Sequence, residues 1–71
     1  MTAGTPIALA TIRVKRGAPR PSEAAFREAI QRDRATLGLA PANGVVDITI
    51  AGPYTILVGG EEIDEWVVWE R

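Results

Sequence analysis

Between Pro21 and Gly38 the chain carries one hydrophobic stripe of helical period, and on either side of it the apolar residues alternate with a period of two. Phe26, Ala29, Ile30 and Leu37 share one side of a helix that Ser22 is placed to cap. Glu23 stands in its first turn, and Gly38 and Pro41 follow its end. Glu23–Arg27 and Glu28–Arg32 have the favourable i,i+4 order. A lone amphipathic helix among strands can bury its stripe only against a sheet, which gives a two-layer α+β sandwich.

The strands follow from alternation and from its punctuation. In residues 7–15, Ala8, Ala10, Ile12 and Val14 point one way and Thr11, Arg13 and Lys15 the other, with Ile7 and Leu9 making the start of the second side apolar. Arg16-Gly17-Ala18-Pro19-Arg20-Pro21 ends that run. Asn43-Gly44 supplies turn chemistry, Val45–Ala51 alternates, Gly52-Pro53 reads as a turn, Tyr54–Val58 is a further apolar strand, Gly59-Gly60-Glu61-Glu62 is a second turn, and Ile63–Glu70 is the last strand. The expected fold is one helix on a four-stranded mixed sheet in the order β-α-β-β-β. Residues 1–6 form a flexible tail and 7–71 a single small domain. If the first two strands are parallel neighbours, their crossover is right-handed.

At 71 residues, with neither cysteine nor histidine, the chain has no disulfide and no common zinc ligand set to supplement its core. Stability must come from packing, from an oligomer interface or from a larger partner. The same two absences remove the usual general base and thiol nucleophile. Ser22 is used as a cap, and Gly59-Gly60 precedes acids and no lysine, unlike a phosphate-binding loop. No enzyme activity and no cofactor are expected. The N-terminus lacks the basic segment of a secretory signal, and no apolar run approaches the roughly 18 residues of a membrane span. A cytoplasmic protein is expected, or a virion-associated one if phage-encoded; the heavy use of Ala, Arg, Gly and Val suggests a GC-rich bacterial or phage genome.

Charge is divided along the chain. Residues 1–44 hold seven basic and three acidic side chains, a net of +4, and residues 45–71 hold one basic and six acidic, a net of −5. That reads as a dipolar molecule, in which separated charge steers association and sets orientation.

The last strand carries the leading candidate site. Ile63, Glu65, Val67 and Trp69 share one face and Asp64, Trp66, Val68 and Glu70 the other, so each face holds a tryptophan and a valine. One helix covers one face, which leaves the other apolar and available to a partner. Trp66, Trp69, Val67 and Tyr54 are the expected partner-binding residues, and which tryptophan faces the helix depends on a one-residue register. A second candidate is the basic segment Arg13, Lys15, Arg16 and Arg20, which suits phosphate or an acidic protein surface. The run Glu61-Glu62-Ile63-Asp64-Glu65 lacks calcium-loop spacing and reads as a charged hairpin rather than a metal site. Asp33 falls on the helix stripe and needs a partner, for which Arg13, Lys15 or the amides of the 39–44 loop are at hand.

Arg16-Gly17-Ala18-Pro19, followed by Ser22-Glu23, resembles the start of the small epsilon subunits of actinobacterial acyl-CoA carboxylases, in which a strand, an Arg-Gly-x-Pro turn and a capped helix follow one another. The likeness spans residues 12–30, and the strands after Val45 depart from it. It implies a small non-catalytic accessory subunit. The function expected is thus a protein–protein interaction or assembly module that binds itself or a larger partner: a virion assembly protein, an inhibitor or an accessory subunit. The alternative is a small nucleic-acid-binding protein using residues 13–20.

Overall fold

The computed structural model describes residues 7–42 and 46–71, and among these the chain forms one helix and a three-stranded antiparallel sheet. The order is β1 (Leu9–Lys15), α1 (Glu23–Thr36), β2 (Ile48–Val58), β3 (Glu61–Glu70), and the strands lie side by side as β1-β3-β2. The expected tail 1–6 and the Asn43-Gly44 turn lie outside the described residues, as does Val45 at the expected start of the second strand.

Two expectations are corrected. The sheet has three strands rather than four, because Gly52-Pro53 does not turn the chain. One strand runs through both residues, and the register against β3 slips between Ala51 and Tyr54, where Ala51 faces Val67 and Tyr54 faces Glu65. Two residues thus oppose the single Trp66, which is a β-bulge. β2 is an edge strand, so a proline without an N–H disturbs no outer ladder. The Gly52–Pro53 peptide is cis, and Gly52 has φ +128°. A Cβ there would lie 2.9 Å from the Glu65 carbonyl oxygen, so the bulge admits only glycine. The second correction is that the sheet is wholly antiparallel rather than mixed. β1 pairs with β3 and not with β2, so no parallel crossover exists.

The remaining elements have local causes. Ser22 Oγ accepts the Ala25 N–H at 3.1 Å. At the other end Gly38 takes φ +76°, Gly38 N–H donates to the Ala35 carbonyl and Leu39 N–H to the Arg34 carbonyl, the Schellman pattern that satisfies the last carbonyls. The Glu23–Arg27 pair forms at 2.8 Å, whereas Glu28–Arg32 is not among the ion pairs of the described residues. β2 and β3 are joined through Gly59 (φ +58°) and Gly60 (φ +84°), two positive angles in succession, as a type I′ hairpin turn requires. β3 therefore begins at Glu61 rather than Ile63.

The core is small. Ala8, Phe26, Ala29, Ile30 and Val68 are its buried residues, with Ala10, Ile12, Ile48, Ile50 and Trp66 packed around them. Phe26 is fully buried, worth about 2–3 kcal/mol on area grounds. Leu37, expected on the buried stripe, is exposed at the helix C-cap. Beyond the helix the chain is tied back by side chains: Gln31 exchanges two hydrogen bonds with the backbone of Ala42, at 2.9 and 3.0 Å, and Arg34 Nε donates to the Ala40 carbonyl at 2.8 Å.

Candidate functional site

Register decides which side chains share a face. On the side covered by α1, Ala10 stands beside Val68 and Ile50, and Ile12 beside Trp66. On the other side the rows read Leu9–Trp69–Thr49, Thr11–Val67–Ala51, Arg13–Glu65–Tyr54 and Lys15–Ile63–Ile56, with Val58 opposite Glu61 at the end. Among the described residues no second layer covers these rows. Leu9 is 54% and Tyr54 52% exposed, and Trp69, Val67, Ile63 and Ile56 are half-buried by their neighbours alone.

The partner-binding residues expected from sequence therefore separate. Trp69, Val67 and Tyr54 lie together on the open face. Trp66 lies on the helix side, with its ring edge-on to Phe26 at 6.1 Å between centroids. The Arg20 guanidinium sits over both rings, 5.4 Å from Phe26 and 5.5 Å from Trp66. Gly52 closes on the same indole, and Trp66 Nε1 is buried without a hydrogen-bond acceptor among the described residues. Trp66 is a packing residue, fixed there by the register that places it beside Ile12.

The basic segment is dispersed too. Arg13 Nε donates to Glu65 at 3.0 Å across the strand pair, Arg16 pairs with Glu62, and Arg20 is held on the aromatic rings. Lys15 stands opposite Ile63 and makes no ion pair among the described residues. Three of the four acids of the run, Glu62, Asp64 and Glu65, are engaged by residues of the same segment. Asp64, buried, accepts the Gly17 N–H at 3.0 Å and pins the turn after β1. Glu70 completes the set with Arg34 at 2.6 Å, joining β3 to α1. No group of three potential metal-ligating side chains occurs among the described residues, and no helix there is long and apolar enough to cross a membrane.

Asp33 finds a partner that the sequence did not suggest. Its Oδ2 accepts the Leu9 N–H at 2.8 Å, so the helix reaches the outer edge of β1. Beside this contact an open groove of about 290 Å³ runs between α1 and β1, lined by Ala10, Thr11, Ala29, Arg32, Asp33 and Thr36. Reading the groove needs the strand order, which places β1 at an edge. Local pattern carries no signal for that.

Comparison of the chain with protein-family models, with curated proteins and with solved structures finds no match, so the resemblance over residues 12–30 assigns no family.

Proposed function

We propose that the protein is a non-enzymatic protein–protein interaction module that binds through the open face of its sheet, with Trp69, Val67 and Tyr54 at the contact. One observation carries the reading: β1, β3 and β2 each place apolar side chains on a face that α1 does not cover. Exposed contiguous apolar surface is costly in water, and aromatic residues on such a surface supply much of the energy of association. The lack of histidine and cysteine supports a binding role over a catalytic one. Residence in the cytoplasm belongs to the same proposal. The nucleic-acid alternative is the weaker reading, since Arg13, Arg16 and Arg20 already have partners and only Lys15 of its four cations has none among the described residues.

The test combines light scattering with a Trp69→Lys variant, whose foldedness circular dichroism checks. A dimer that the substitution returns to a monomer makes the partner a second copy. A monomer in both cases sends the search to a different protein, with Trp69→Lys as the control in a pull-down. Capture of the same proteins in the same amounts by both forms would remove the open face as the interface.

A further inference from the structure

The outer edge of β1 is a second surface with unmet bonding capacity. Glu70 N–H donates to the Ala8 carbonyl and Leu9 N–H turns outward to Asp33, which together fix the parity of the strand. Ala10, Ile12 and Val14 thus direct their amide groups at β3, and Thr11 and Arg13 direct theirs away from the sheet. Among the described residues nothing meets the N–H or the carbonyl of Thr11 or Arg13 on that side. The free stretch is bounded at both ends: Asp33 takes the Leu9 N–H, and the Lys15 carbonyl accepts from Ala18 N–H at 3.0 Å. On the opposite edge the bulge at Gly52-Pro53 separates Ile48 and Ile50 from Thr55 and Leu57, and the groove lined by Ala10, Thr11 and Ala29 flanks the β1 edge.

We propose that this edge accepts an extended, acidic segment of another protein as a fourth strand, seated in the groove between β1 and α1. Ala10 and Ala29 give the groove its width, and side chains of the added strand that point toward α1 would lie over them. Charge selects the chemistry. Arg13 and Arg16 have carboxylates on β3, but Lys15 on the strand and Arg32 on the helix wall pair with no acid among the described residues. Asp33 makes the Leu9 end negative, so the acids of the incoming strand belong toward Lys15. A second copy is the poorer occupant, since residues 9–16 carry Arg13, Lys15 and Arg16 and no acid, and pairing two β1 strands would bring two basic segments together. This site does not depend on the open face, and either surface can fail alone.

The experiment is a titration of the isotope-labelled protein with a capped heptapeptide of alternating valine and glutamate, followed by amide shifts and hydrogen exchange. A valine–lysine peptide of the same length is the control. The expected result is shift changes at Thr11, Arg13 and Lys15, exchange at Thr11 and Arg13 slowed by about tenfold or more, and binding of the lysine peptide weaker by about tenfold. Thr11→Pro deletes an outward N–H and no bond to β3, so it should abolish binding while the shifts of Phe26 and Val68 persist. Should that variant unfold, Arg32→Glu on the exposed helix wall is expected to weaken binding about tenfold. No shift at the edge amides up to about 1 mM peptide, equal binding of both peptides, shifts confined to Trp69, Val67 and Tyr54, or edge shifts that follow protein concentration without peptide would each overturn the proposal.

Discussion

Gly52 and Gly38 both hold positive φ, yet their surroundings make them very different as targets. At Gly38 a Cβ would meet nothing within 4 Å, so Gly38→Ala carries only the backbone strain of the left-handed region, about 1 kcal/mol. At Gly52 the strain is joined by a 2.9 Å approach to the Glu65 carbonyl oxygen and 3.3 Å approaches to Trp66, none of which is the yielding end of a flexible side chain. Gly52→Ala is expected to cost about 2–4 kcal/mol, from strain together with displaced packing. Urea unfolding of the two variants checks the ranking, and equal midpoints would refute it. Because Trp66 is held by Gly52, Phe26 and Arg20, Gly52→Ala should also shift the indole fluorescence, which Gly38→Ala should leave unchanged. Residue identity alone told these glycines apart poorly. One follows a helix stripe and is a recognisable cap, whereas the other precedes a proline and resembles the start of a turn.

That ambiguity propagates to the elements. The helix was legible from its Ser22 cap to its Schellman end, because those signals are local, while the stripe over-reached at Leu37, which is exposed at the C-cap. The strand count was not. Gly52-Pro53 breaks a central strand, but on an edge strand it makes a bulge, and only tertiary placement decides which applies. The faces of the last strand were readable from alternation, while the choice of Trp66 for the helix side needed the register against β1. Ion pairs between elements follow burial in a way no spacing rule gives. Arg34 and Glu70 join α1 to β3 with side chains only 20% and 15% exposed, whereas Arg16 and Glu62 are 65% and 47% exposed. Arg34→Ala removes this pair and the bond to the Ala40 carbonyl, and is expected to cost about 1–3 kcal/mol. Arg16→Ala should cost no more than about 0.5 kcal/mol. Thermal unfolding of the two variants at one salt concentration measures the difference, and an Arg16→Ala loss as large as that of Arg34→Ala would contradict the assignment.

At the scale of the whole molecule, the +4 and −5 halves of the sequence do not become the two ends of a dipole. β3, which carries most of the acids, is the central strand, and basic residues of the first half surround it: Arg13 on Glu65, Arg16 on Glu62 and Arg34 on Glu70. The charge division along the chain is largely spent on holding β1 and α1 to β3, and little remains for head-to-tail attraction between molecules. What remains to drive self-association is the uncovered apolar face, and its response to salt differs in sign from that of a charged contact. Attraction between exposed opposite charges is screened within a Debye length of about 8–10 Å at physiological ionic strength. Burial of apolar surface is unaffected by moderate chloride and is strengthened by sulfate. If the protein dimerises, its mass by light scattering should therefore hold from low to moderate sodium chloride and rise in sodium sulfate. Trp69→Lys should remove the sulfate response by placing an ammonium group in the contact. Dissociation on adding sodium chloride would mean that the two charged halves meet between molecules after all, and would move the interface from the open sheet face to the charged surface.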